Sequence, residues 1–237
     1  MSCRPGGSAT QSELIFDRIR ALAKETKTPV YTFAEDIAAS GAYWLMLAGD
    51  EMYASSTSLV GSIGVVSASF GAVEAIKRLG LERRVYTAGE YKDLLDPFRP
   101  VRKEEEARLQ EVLADTHDSF KGAVKAARGS RLAAPDDPEL WSGRVWTGRQ
   151  AARLGLTDGI AQLEAKMHEK VGDNVHFVLC SEPLRAGLAD ALGLSSSMRG
   201  WGKMLGQQSD IYSVTSSASQ ALLDEVQYRS MLARYGL

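Results

Sequence analysis

Ser40-Gly41 stands between Ala38-Ala39 and Ala42, at the start of the apolar run Ala42 to Ala48. A serine at such a loop-to-helix junction meets two demands of a nucleophile: helix N-terminal amides lie close by, and small neighbours let a substrate backbone approach. The same placement also suits a serine that only caps the helix. A nucleophilic hydroxyl further needs a base. His117 falls inside a helical pattern, His168 in a charged helical stretch, and His176 alternates with apolar residues, so no histidine sits beside a turn. Lysine is the alternative, but it must be neutral to accept a proton. At an unperturbed pKa of about 10.4, roughly one lysine in a thousand is neutral near pH 7.5, so an apolar setting is required. Lys92 has apolar residues close by in sequence (Tyr91, Leu94, Leu95, Pro97 and Phe98), unlike Lys103 or Lys121 in charged helical stretches. An ordinary surface-loop lysine is the competing reading of that segment.

The elements that must position these residues alternate. Ser12 to Lys24 carries apolar residues at helical spacing, and Thr28-Pro29 breaks it before the strand-like Val30 to Ala34. After the helix opened by Ser40, Met52 to Ala54 reads as a strand, Val60 to Val66 as a glycine-broken turn entering a strand, and Ala72 to Leu79 as a helix. Val85-Tyr86-Thr87 reads as the next strand. Arg102 to Arg128 is helical up to Gly129, Arg149 to Leu154 is a short helix, Ile160 to Lys170 another, and Val175 to Leu179 a late strand. Strands and helices in this order predict an α/β fold with parallel strands joined by crossover helices. Residues 1–183 form the principal domain in this reading, and 184–237 a tail with two weak helices near 185–192 and 217–235.

Composition narrows the function. With 237 residues, 44% apolar and 24% charged, the chain reads as a soluble globular protein. Lys plus Arg number 28 against 30 for Asp plus Glu, so no net field draws it to nucleic acid or an acidic membrane. Cys3 and Cys180 stand apart and suggest neither a disulfide framework nor a zinc site. No window has the length and apolarity of a membrane span, and the first residues lack the order of a secretory signal. The compartment stays open. Pro5-Gly6-Gly7-Ser8 is a turn of the kind that follows a strand, yet almost nothing precedes it, which reads as a very short or missing N-terminal strand.

Four segments together resemble the signal peptide peptidase A family of serine peptidases, over roughly residues 4–165. Pro5-Gly6-Gly7-Ser8 is similar to the family's first glycine turn. Asp36 to Trp44 resembles its nucleophile segment, Thr57 to Val65 its next signature, and Ala88 to Asp93 with Pro97-Phe98 its lysine segment. Ser40 follows Gly7 by 33 residues and precedes Ser62 by 22 and Lys92 by 52, separations that resemble the family's own. Arg144 to Gly148 and Gly155 to Asp158 look like its late, structural signature. Three features depart from the pattern: the family's upstream strands are absent, so is the membrane-spanning segment usual in its bacterial members, and Leu94-Leu95 replaces smaller residues.

The resemblance implies a ClpP/crotonase-like fold and a serine endopeptidase with a Ser-Lys dyad: Ser40 as nucleophile, Lys92 as base, Ser62 orienting the base, and the Gly7 and Gly41 amides as oxyanion hole. It implies apolar peptide substrates such as signal-peptide remnants, no metal or other cofactor, and a homo-oligomer whose sites are shared between neighbouring subunits. Bacterial members are membrane-attached. Two rivals share the fold: an acyl-CoA hydratase or isomerase, which would want a carboxylate in place of the serine and lysine, and a scaffold subunit without turnover.

Overall fold

The computed structural model describes residues 7–178 and 180. Two compact units divide the chain, residues 1–166 and 167–237, and everything that bears on the site belongs to the first. The tail assigned to 184–237, with its two helices, lies outside the described residues, as do Pro5 and Gly6.

Helix α1 (Ala9–Thr26) begins at Ser8, whose hydroxyl accepts the Gln11 N–H, and stops at Lys27 in the left-handed region. Strands β1 (Tyr31–Ala34) and β2 (Ile37–Ala39) follow almost without a break, then helix α2 (Gly41–Met46), β3 (Glu51–Ala54) and β4 (Leu59–Gly61). β1 pairs parallel with β3, and β2 parallel with β4. Two chain segments therefore run side by side and bend together, passing from one three-stranded sheet to another. Ser58, 1% exposed, fastens the bend: its hydroxyl donates toward the carbonyls of Ala34 and Glu35 and accepts the Ser55 N–H. A buried hydroxyl with this many partners satisfies backbone groups that a corner would otherwise leave unpaired.

After the short helix α3 (Val73–Arg78) comes α4 (Lys103–Arg128), the longest helix described. Three glutamates occupy its first turn and Lys125 and Arg128 its last, the charge order that a helix dipole favours. Its inner face packs Phe120 against Trp44 of α2, rings stacked at 4.7 Å, and buries Val124 completely. Strand β5 (Val145–Thr147) pairs antiparallel with β4, helix α5 (Gly148–Leu154) follows, and β6 (Gly159–Ile160) pairs parallel with β3. Helix α6 (Leu163–Val171) is last.

One buried charge ties α4 to the sheet. Arg128, 2% exposed, donates to the Gly155 carbonyl at 2.7 Å and to both Asp158 oxygens at 3.0 and 2.9 Å. Asp158 also accepts the Met52 N–H of β3 and a bond from Arg131. Burial pushes the Asp158 carboxyl up, but the bonds from Arg128, Met52 and Arg131 outweigh it and hold the group below the usual carboxylate range. Gly155 is needed beside this network: its φ is 78°, and a Cβ there would lie 1.8 Å from the Arg131 carbonyl oxygen.

The α/β class with parallel strands is as the sequence predicts, and α1, β1, α2, β3, α3, α4 and α5 stand where expected. Elsewhere the expectations need correction. Val85 to Thr87 forms no strand; no ladder partner reaches it among the described residues, and Tyr86 is 92% exposed. The strand expected at Val65-Val66 instead precedes the glycine turn, as β4. The helix expected from Ile160 starts only at Leu163, because Gly159-Ile160 is taken by β3 as β6. Residues 175–178 are irregular, and Leu179 lies outside the described residues. The sequence predicts neither β2 nor β5: each is three residues long, too short for a period-two pattern, and each exists through its pairing with β4.

Replacing Asp158 with Asn strands the buried Arg128 charge and should lower unfolding free energy by about 3–5 kcal/mol, measured by urea denaturation at neutral pH. Because folding depresses the Asp158 pKa, its contribution is present above the unfolded value, about pH 4. It is lost as pH falls through the folded value. The Asp158→Asn protein should therefore lose less stability than wild type on acidification below about pH 4.

Candidate active site

The register of β2 and β4 sets the site. Ala39 lies opposite Gly61, so Ser40 and Ser62 are the next residues beyond the same carboxyl end of two parallel strands, which run about 4.8 Å apart. The ladder continues one step further, with the Ser40 N–H donating to the Gly61 carbonyl at 2.8 Å. In open α/β sheets the crevice outside the carboxyl ends of parallel strands is where ligands bind.

Ser40 occupies a sharp turn between β2 and α2, at φ 54° and ψ −126°. That combination belongs to the first central position of a type II′ turn and favours glycine. The hydroxyl makes no capping hydrogen bond to α2, which disposes of the helix-cap reading. The side chain is half-buried, between a buried Ala39 and a buried Gly41. Gly41 needs to be small: a Cβ there would lie 2.5 Å from the Ser12 hydroxyl and 3.2 Å from the Gly7 nitrogen. The backbones of Gly7 and Gly41 thus meet beside Ser40, although 34 residues separate them in sequence.

Ser62 is also in the left-handed region, at φ 51°. Its N–H donates to the Arg144 carbonyl at 2.8 Å, and its own carbonyl accepts the Gly64 N–H at 2.9 Å. The segment that resembles a structural signature therefore braces the Ser62 turn: Arg144 bonds to it, Val145 pairs with Gly61, and Gly143 packs against Gly64.

Lys92 makes no side-chain hydrogen bond to this group among the described residues. It is exposed, in a series of tight turns between Gly89 and Asp96, and its ammonium has no hydrogen-bond or ion-pair partner among the described residues. The apolar neighbours expected from sequence do not enclose it; Tyr91 is itself exposed. An ionic cluster organises the stretch instead. Arg99 bonds Asp93 and Glu105, Arg102 bonds Glu105, and Arg83 bonds Asp96 while stacking over Phe98 at 4.9 Å. The Arg99 and Arg102 bonds hold the Glu105 carboxyl well below the usual carboxylate range. Leu95, in place of a smaller residue, has φ 59°, a strained position for a bulky side chain.

A residue that the sequence reading set aside lies next to the site. His117 of α4 places Nε2 3.0 Å from the carbonyl oxygen of Ile63, the residue after Ser62. The signal was present: His117 stands three residues before Phe120 and seven before Val124, on the same helix face. His168 lies near Asp173 in the second unit, and His176 is in an irregular segment.

Residues 22–173, more than half the chain, match peptidase family S49. A Brucella abortus protein named Na(+)/H(+) antiporter NhaA is 43% identical over 233 residues, 98% of this chain and 30% of that protein. The chloroplastic serine protease SPPA of Arabidopsis thaliana is 33% identical over 236 residues, 96% of this chain and 34% of that one. A Synechocystis protein named as a protease is 32% identical over 213 residues, 82% of this chain and 76% of its own length. This chain thus spans about a third of the first two relatives, at 30% and 34%. No described helix is long and apolar enough to cross a membrane. Among solved structures, an enoyl-CoA hydratase from Thermoplasma volcanium is similar at a TM-score of 0.32 and 19% identity, covering 95% of this chain and 62% of that one.

The strained turn makes a prediction that is independent of any reaction. Ser40→Gly relieves the backbone and Ser40→Ala does not, so the Gly variant should be the more stable of the two by about 1–3 kcal/mol, read from their urea midpoints. Equal midpoints would mean that Ser40 carries no such strain.

Proposed function

Because this chain belongs to peptidase family S49, we propose that it hydrolyses peptide bonds as a serine endopeptidase, with Ser40 as nucleophile and Lys92 as general base. The observation that carries this reading is the register that sets Ser40 and Ser62 side by side, with the backbones of Gly7 and Gly41 meeting beside them. The Lys92 amine takes the Ser40 proton as Oγ attacks the scissile carbonyl carbon. The Gly7 and Gly41 N–H groups donate to the oxyanion that forms. The intermediate collapses, the amine leaves with the proton that Lys92 returns, and an acyl ester stays on Ser40. Water, deprotonated by Lys92, then attacks the ester carbonyl; the bond to Ser40 Oγ breaks, Lys92 returns the proton to Oγ, and the acid is released. Ser62 orients the lysine, and its left-handed turn presents it from the strand end next to Ser40. No step uses a metal or an organic cofactor.

An apolar, extended peptide is the proposed substrate class. Beyond Ser62 the chain runs without helix or strand to Ala72, with the apolar Val66 and Phe70 85% and 88% exposed.

The exposure of Lys92 supports a shared site. A lysine base needs cover from water, and within the first unit nothing described covers Lys92. Leu79, Leu81 and Tyr86, which precede Lys92 in the chain, are exposed as well. In the proposed assembly a neighbouring copy buries this stretch, and Lys92 of one subunit serves Ser40 of the next.

Ser40→Ala and Lys92→Ala should each lower casein or apolar-peptide cleavage by about 10⁴-fold or more, with unfolding midpoints retained, and Ser62→Ala by less. Wild-type turnover in Ser40→Ala would overturn the assignment. Exchange of subunits between the two inactive variants, verified by co-purification of differently tagged chains, should restore part of the activity. Verified exchange without rescue would rule out the shared site while leaving the nucleophile standing.

A further inference from the structure

We infer that His117 is a positioning residue for this site, holding the Ser62 turn in place from α4. The inference rests on the peptidase reading for its catalytic consequence, and on geometry alone for the contact itself. A carbonyl oxygen only accepts hydrogen bonds, so at 3.0 Å from the Ile63 oxygen His117 Nε2 must carry its proton. Ile63 is fully buried, and its carbonyl lies in a turn outside any ladder. Without His117 that oxygen would lose its one described partner.

Apart from the burial of the Ile63 side chain in the core, the turn is held by backbone contacts. Arg144 bonds the Ser62 N–H, and Gly143 packs on Gly64, where a Cβ would sit 3.0 Å from the Gly143 Cα. Both contacts come from the segment leading into β5. His117 supplies a further hold, from α4. One turn further along the same helix face, Phe120 stacks on Trp44, four residues after Ser40 in α2. A single helix face thus bears on the helix that carries the nucleophile and on the turn that carries Ser62. Ser62 sits at φ 51°, a conformation that a serine keeps only where its surroundings impose it. Releasing the Ile63 carbonyl should let the turn relax and move the Ser62 hydroxyl, with Ser40 left in place by its own ladder bond to Gly61.

Asp118, next in sequence, pairs with Lys121, and the His117 contact is with a neutral backbone carbonyl. Gln is the informative replacement: its amide N–H reaches about as far as imidazole Nε2 and donates in the same way. Leu fills similar space and cannot donate.

The test compares the full-length wild type with His117→Gln and His117→Leu by amide hydrogen exchange and by steady-state peptide cleavage. In His117→Leu, peptides covering residues 61–65 should exchange faster, those of β1 and β3 should not, and kcat should fall by about tenfold to a hundredfold with little change in KM. His117→Gln should return both toward wild type. Wild-type exchange at 61–65 in His117→Leu would overturn the contact, as would failure of Gln to protect the segment should the Leu chain not fold. Faster exchange with unchanged kcat in an active enzyme would overturn the positioning role. A wild type without turnover whose 61–65 segment still loosens in His117→Leu would uphold the contact and refute the peptidase reading instead.

Discussion

The hydrogen bond from Ser40 N–H to the Gly61 carbonyl lengthens the β2–β4 ladder by one step past its last paired residues. In a parallel ladder a register shift of one residue would exchange the faces of every side chain, so this bond also decides which side chains emerge at the strand ends. With Ala39 opposite Gly61, the two residues that emerge are both serines. Each is then turned sharply away from its strand by a positive φ. Glycine would adopt these turns at less cost, so the presence of serine at both places needs a reason other than folding.

What fixes that register is built well behind the strand ends. Ser58 closes the corner where both chain segments bend, and the Arg128–Asp158 bridge fastens α4 to β3 through the Met52 amide. Between these two fixed points α4 lays Phe120 and Val124 on the core. Tyr43, fully buried one turn into α2, donates its hydroxyl to the Leu156 carbonyl at 2.8 Å and anchors the nucleophile's helix to the segment that carries Gly155. The Lys92 segment has a different physical character. Its order comes from arginine–carboxylate contacts among its own residues and the start of α4, and it contributes little to the hydrophobic core. Charge pairing can shape a segment locally, but only burial would remove water from its lysine.

The long elements were legible because their signals are dense. The apolar spacing along 102–128 and the glycine that follows specify α4, and Thr28-Pro29 marks the passage from α1 to β1. The Ser40 junction was legible as well, from small residues ahead of an apolar helix. Three-residue strands were not. Ile37 to Ala39 and Val145 to Thr147 have no period of their own and become strands only against β4. The exposure of Lys92 in the single chain is not legible for a related reason: apolar residues close by in sequence need not cover a side chain, and here Tyr91 is exposed along with the lysine. His117 shows the converse. Its helix was located correctly, but its role depends on a carbonyl 54 residues away that no local pattern could supply. The meeting of Gly7 and Gly41 is equally non-local.

The central claim is that Ser40 is an activated nucleophile and not simply a strained turn residue. A fluorophosphonate probe at mildly alkaline pH, followed by digestion and mass mapping of the adduct, tests it most directly, because such reagents phosphonylate, with loss of fluoride, a serine whose hydroxyl is being deprotonated beside an oxyanion site. The account predicts one adduct, on the peptide containing Ser40, and none when Lys92 is replaced by Ala. An unlabelled protein, or an adduct on Ser62 with Ser40 unmodified, would contradict it.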